Sequence, residues 1–205
     1  MACSNAGPDH PKCRFKMPRF RVARRLAVAI SLAVFAAIPF AQAASANDTS
    51  QTAQDIVSAG RLRMQSQRLA KLYQQAGMGL QAAQALKQID ASVGEVDAEF
   101  GRLARYSRKP NIQRVLARSE ALWKDMRSAL RERPVPASAE RVNQLADELM
   151  LHAGKLSMQI EAEGETPVGR LLDLSSRLNM LSQRLARLYL LAQSGNRSQG
   201  VVIDI

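Results

Sequence analysis

A fourteen-residue segment of this chain recurs 116 positions later, and the repeat limits the fold more than any other feature. Gly60-Arg61-Leu62-Arg63-Met64-Gln65-Ser66-Gln67-Arg68-Leu69-Ala70-Lys71-Leu72-Tyr73 returns as Ser176-Arg177-Leu178-Asn179-Met180-Leu181-Ser182-Gln183-Arg184-Leu185-Ala186-Arg187-Leu188-Tyr189. Ten of the fourteen positions are identical, more than shared composition produces, so the segment is a duplicated unit. Ala, Leu, Arg, Gln and Met, the strong helix formers, dominate it and the chain around it. Aromatic residues make up only 4% of the 205 residues, which argues against a β-sandwich or barrel.

Breaks divide the remainder into helices. No proline falls between Thr49 and Ala76, and Gly77-Met78-Gly79 then interrupts the chain. Leu86, Ile89, Val93, Val96, Phe100 and Leu103 recur at three- and four-residue steps and predict the seam of a second helix. Gly94 and Gly101 lie inside it and lead us to expect a close helix approach there. Lys109-Pro110-Asn111 is the next break. Ile112, Val115, Leu116, Ser119, Leu122, Trp123, Met126 and Leu130 then mark a third helix. Pro134-Val135-Pro136 ends that one, with Ser138 placed to cap the next. Val142, Leu145, Leu149, His152, Leu156 and Gln159 or Ile160 form the fourth stripe, which Gly164 stops. Thr166-Pro167 suits the start of a fifth helix running to about Gln193, and Ser194–Ile205 has no helical period.

Helices of this length with short connections predict an all-α fold: an antiparallel up-down-up-down four-helix bundle with an additional C-terminal helix that repeats the first. Helix crossings should lie near 20° and the rod should be roughly 30–40 Å long. The expected organisation is a leader over residues 1–46, a four-helix module over 47–163, the first helix of a second, incomplete module over 164–193, and an irregular tail over 194–205.

The leader assignment rests on order. Lys12, Arg14, Lys16, Arg19, Arg21, Arg24 and Arg25 precede an uncharged apolar run from Leu26 to Ile38. Pro39 and the small residues Ala41-Gln42-Ala43-Ala44-Ser45-Ala46 follow, as in a secretory signal cleaved after Ala43 or Ala46. The apolar run of 13 residues falls short of the roughly 20 that span a bilayer. Met17 gives the leader ordinary proportions and is the better start; an uncleaved leader serving as an anchor is the rival reading. Leu26-Ala27-Val28 after Arg24-Arg25 does not support twin-arginine export.

Removing the leader changes the chemistry on offer. Seven of the 29 basic residues and one of the 18 acidic residues go with it, so the net charge of +11 falls to about +5 and a nucleic-acid partner loses its main support. Cys3 and Cys13 also go, which excludes disulfide and thiol chemistry from the mature chain. His152 becomes the lone histidine, so a multi-histidine metal site is excluded and a Ser-His-Asp triad is improbable; no cofactor and no metal are expected. No nucleophile elbow or phosphate-binding glycine loop occurs, and the chain is not read as an enzyme.

On the repeated helix, Leu62, Leu69 and Ala76 are seven apart and are core, with Leu72 and Tyr73 alongside. Gly60, Arg63, Gln67 and Ala70 form a second stripe. Its glycine permits a helix or a ligand to approach the backbone, and its arginine offers a planar fork of donors to a small planar oxyanion. In a symmetric dimer two such arginines would face each other and repel unless an anion lay between them. A solvated surface arginine is the alternative.

The stretch Ser58-Ala59-Gly60-Arg61-Leu62-Arg63-Met64-Gln65-Ser66-Gln67-Arg68-Leu69-Ala70-Lys71 resembles the signature of the PilJ-type domain, the N-terminal sensor domain of type IV pili methyl-accepting chemotaxis transducers. It is also similar to the periplasmic signature helix of NarX-type nitrate/nitrite sensor kinases. The resemblance implies a periplasmic bundle that dimerises through the signature helix and holds nitrate or nitrite at the dimer axis. It implies that the motif's Gly and the Arg three residues later contact the anion; these fall on Gly60 and Arg63, with Ser66 and Gln67 in support. The second copy has Ser176 and Asn179 at those places and is not expected to bind. The rival function is a non-catalytic interaction protein whose fifth helix docks on a membrane sensor or another partner.

Other residues have structural explanations. Arg61, Arg68, Arg177 and Arg184 are expected in surface ion pairs, His152 as a hydrogen-bonded core histidine, Met64, Met126, Met150, Met158 and Met180 as core filler, and Trp123 as a packing anchor. Glu161 and Glu165 are four apart but straddle the break at Gly164, so they make no acid/base pair.

Overall fold

The computed structural model describes residues 39–164 and 167–195 of the chain. All five of their longer elements are α-helices, and no strand occurs among them: α1 Pro39–Gly77, α2 Ala82–Leu103, α3 Pro110–Ala129, α4 Pro136–Gly164 and α5 Pro167–Gln193. A short 3₁₀ turn, Ala104–Arg108, extends α2. The described residues from Ser45 onward form one compact unit. The basic and apolar parts of the expected leader lie outside the described residues, as do Thr166, Glu165 and the tail beyond residue 195; α1 includes the small-residue stretch Ala41–Ala46. Among the described residues no helix is long and apolar enough to cross a membrane.

The breaks fall where the chain loses a backbone donor or takes up a left-handed turn. After Gly77 the turn is made by Gly79 at φ +73° and Gln81 at φ +50°. Pro110 occupies the first turn of α3, and Lys109 before it is extended, as the residue preceding a proline must be. Ser138 does not cap α4, because the helix starts two residues earlier at Pro136. Its hydroxyl instead donates to the Arg133 and Val135 carbonyls and accepts the Val135 amide. The Tyr73 hydroxyl reaches the same point, 2.9 Å from the Ser138 hydroxyl and from the Glu132 carbonyl. One buried tyrosine thus ties the end of α1 to the α3–α4 connection.

The core runs along α1 to α4. Ile56, Leu62, Leu69 and Tyr73 of α1 are sealed against Ile89, Val96 and Leu103 of α2, Leu116, Leu122 and Met126 of α3, and Leu149, Leu156 and Ile160 of α4. Trp123 is buried, with its indole N–H donating to Asp97 at 2.8 Å. Polar pairs fix the relative sense of the helices. Partner numbers on α2 fall as those on α1 rise (Asp55 with Tyr106, Arg61 with Glu99, Gln65 with Glu95). They fall likewise on α4 for α1, where Thr52 touches Gly164 and Gln67 bonds Ala146.

Four further expectations fail. Gly94 and Gly101 have nothing within 4 Å of where a Cβ would stand, because the seam through Ser92, Val96, Phe100 and Leu103 turns them outward. Leu86 is exposed, and Ala85, one turn before Ile89, is the residue that closes the seam. Met158 is exposed on α4, next in sequence to the buried Ser157. His152 is half-buried and its Nδ1 makes no hydrogen bond, while burial and the nearby Lys155 and Arg118 lower its pKa against the opposing pull of Glu148.

Candidate functional site

The second stripe of α1 is covered by α5. A Cβ added at Gly60 would stand 2.5 Å from Cβ and Oγ of Ser176, so only glycine lets α5 lie this close. Ser176 is the residue that replaces Gly60 in the second copy, so equivalent positions of the two repeats face each other. Lys71 donates to Gln183 at 2.8 Å and Gln74 to Ser194 at 3.1 Å. Partner numbers rise together, so α5 lies parallel to α1.

Arg63 is enclosed in this seam, 3% exposed. Its Nη2 donates to Oδ1 of Asp173 at 3.0 Å, to the Asp173 carbonyl at 3.2 Å and to Oγ of Ser176 at 2.7 Å. Asp173 also accepts from Ser157 of α4 at 2.9 Å, and the Ser176 hydroxyl donates back to the Asp173 carbonyl. The backbone of α4 passes beside the arginine stem at Gly154. Arg63 Nε is buried and has no acceptor. The guanidinium is therefore closed off from bulk water. It holds a carboxylate of its own chain.

Of the residues singled out in the sequence, Gly60 and Arg63 meet α5 and each other's partners. Ser66 and Gln67 are both fully buried but turn away from the guanidinium. Ser66 donates to the Arg63 carbonyl, and Gln67 donates to the Ala146 carbonyl and to Asp147. Asp173 and Ser157 belong to the site and were not picked out, and Ser176, read only as a non-binding counterpart of Gly60, is an acceptor for Arg63. Asp173 had a signal: it is the only acidic residue of α5, three before the residue that stands in for Gly60.

Two further polar clusters flank the seam. Arg187, the counterpart of Lys71, is 1% exposed and donates to Asp147 at 2.7 Å and to the Asn143 carbonyl at 3.3 Å. On the opposite side of α1, Glu99 pairs with Arg61 and Arg102. Burial pushes the Glu99 carboxyl up, but Ser58, Arg102 and Arg61 outweigh it and hold it below the usual range. Among the described residues no group of three His, Cys, Asp or Glu side chains could hold a metal.

A family profile described as the N-terminal part of type IV pili methyl-accepting chemotaxis transducers matches residues 45–149. The chain belongs to this PilJ family. No curated protein and no solved structure gives a significant match. PilJ domains are sensory rather than catalytic, and are typically periplasmic parts of membrane transducers. The PilJ match covers Gly60 and Arg63 but stops before α5, so the carboxylate on Arg63 comes from outside the matched segment.

Proposed function

We propose that this PilJ chain is a periplasmic sensory module, exported by its leader, whose α1–α4 form an antiparallel up-down-up-down bundle and whose Arg63 receives nitrate or nitrite. The observation that supports the reading is the buried Arg63 guanidinium, whose Nη2 already holds the planar carboxylate of Asp173 beside the Ser176 hydroxyl. Carboxylate and nitrate present the same donor set with similar planar oxygens. The unpaired Nε adds a donor that the carboxylate leaves unused.

The same geometry sets the terms of binding. An anion on Arg63 must displace Asp173, since one guanidinium cannot neutralise both in a site closed to water. Homodimerisation through the Gly60 face must in turn lift α5, which occupies that face. Nitrate binding, α5 release and pairing of two signature helices are thus coupled steps, and α5 stands at rest where the partner's helix would stand.

Calorimetric titration with sodium nitrate tests this. Asp173→Asn should bind nitrate about ten- to a hundred-fold more tightly than the natural chain, the worth of a charge-assisted hydrogen bond removed from competition. Arg63→Ala should not bind. Absence of nitrate and nitrite binding in Asp173→Asn overturns the reading. The rival role as an interaction protein is favoured by a different feature, the uncovered leucines of α5.

A further inference from the structure

The two copies of the repeat differ in what covers their apolar face. In the first copy Leu62, Leu69 and Tyr73 are 0% exposed. Their counterparts Leu178, Leu185 and Tyr189 are 70%, 55% and 58% exposed. Leu171, Leu174 and Leu181 extend the uncovered stripe at three- and four-residue steps, so α5 carries a heptad seam with no helix against it among the described residues. A stripe of this length on one helix exceeds the scattered apolar residues of an ordinary surface.

The charges beside the stripe have one sign. Leu171, Leu178 and Leu185 are each preceded by an arginine: Arg170, Arg177 and Arg184. Asp173 is the only acid on α5; it is buried on Arg63, and its other oxygen lies 3.9 Å from Arg177, which leaves the row with an excess of positive charge.

The fold shows what meets this pattern when it is satisfied. In the first copy the same Arg-Leu steps occur as Arg61-Leu62 and Arg68-Leu69. There α2 lies against them, its Ile89 and Val96 in the core, Glu99 on Arg61 at 3.1 Å and Glu95 on Gln65. Residues 82–103 carry four acidic and two basic side chains, complementary to α5.

We infer that the outer face of α5 is a docking surface for an acidic amphipathic helix of α2 character: an apolar seam flanked by glutamates four residues apart, supplied by a partner protein. A second copy of α5 fits less well, because it brings a second arginine row and no exposed acid. The inference does not depend on anion binding at Arg63.

A fluorescein-labelled peptide of residues 82–103 is the probe, titrated into the full chain and followed by anisotropy. Saturable binding is expected, weakened about ten-fold or more in Leu178→Ser/Leu185→Ser, two exposed positions whose change should leave the melting temperature unaltered. A Glu95→Gln/Glu99→Gln peptide should bind about two- to five-fold more weakly, the difference vanishing at high salt. Peptide affinity unchanged in the Leu178→Ser/Leu185→Ser chain means exchange with the chain's own α2 and overturns the inference. So does absence of peptide binding, whether the leucines instead drive self-association in ultracentrifugation or adsorption to phosphatidylglycerol vesicles.

Discussion

Asp173→Asn tests the central contact, because it removes a charge and almost no volume. The Arg63 and Asp173 side chains are 4% and 10% exposed and 3.0 Å apart. Neither end of the pair is screened by water, so the surface figure for an ion pair does not apply. Breaking a buried pair costs about 3–5 kcal/mol, since the surviving charge is left without its partner. Arg63 keeps two neutral acceptors here, Ser176 Oγ and the Asp173 carbonyl. That places the loss near the lower bound, about 3 kcal/mol. For a unit of this size about 3 kcal/mol lowers the melting temperature by roughly 6–12 °C. Circular dichroism melts in phosphate-free, low-chloride buffer measure it. Nitrate at a hundred times its dissociation constant should restore about 2.7 kcal/mol, most of the loss. Arg63→Met/Asp173→Leu, which replaces both charges by apolar side chains, should be near neutral or stabilising and indifferent to nitrate. A loss below about 1 kcal/mol in Asp173→Asn would show that the fork is solvated, and the argument from burial would fail.

Three other outcomes follow from the packing. Gly60→Ala should destabilise α5 docking by about 1–3 kcal/mol through the contact with Ser176, and Ser176→Gly should restore it; urea midpoints of the two singles and the double decide, and an additive double mutant refutes the contact. Glu99 has a folded pKa below its ordinary value, so its stabilisation is complete above about pH 4.3 and is lost as pH falls through the folded value; Glu99→Gln should flatten the urea midpoint in that acid range. His152 is likewise lowered, so below about pH 6.5 the unfolded chain takes up its proton first and stability declines; His152→Gln should remove that slope between pH 7 and 5.

The helices and their breaks were legible because proline and glycine act locally: Pro110, Pro136 and Pro167 stand at the starts of α3, α4 and α5, and Gly77 and Gly164 at the ends of α1 and α4. The core was legible wherever a seam was long, as along Leu62, Leu69 and Tyr73. Faces that a periodic pattern leaves ambiguous were not. Leu86 and Ala85 both satisfy three- and four-residue spacing, and only the approach of the neighbouring helix selects Ala85. Gly94 and Gly101 failed for a related reason, since a helix glycine far from the seam meets no neighbour. Arg63 was found by its spacing to Gly60, but its partner was not, because that partner stands 110 residues away on another helix.

The partner becomes intelligible once the copies are compared as opposing faces rather than as two candidate binders. Position 60 faces position 176, so the repeat pairs with itself in parallel, the arrangement a two-fold dimer of signature helices would also need. In the proposed dimer, two first copies would bring two Arg63 side chains into one seam. The second copy differs at the places where that conflict arises: Asn179 replaces the arginine, Ser176 replaces the glycine, and Asp173 stands where the first copy has Val57. Loss of the arginine removes the repulsion, and gain of the aspartate supplies the counter-charge. Under the proposed function the cis pair is favoured over the trans pair by charge and by tethering, which holds α5 at an effective concentration of about millimolar or more. An anion that neutralises two facing arginines removes the first advantage and leaves the second. Occupancy of Arg63 and the choice of helix on the Gly60 face are on this argument one equilibrium, and any change that weakens Asp173 must shift both together.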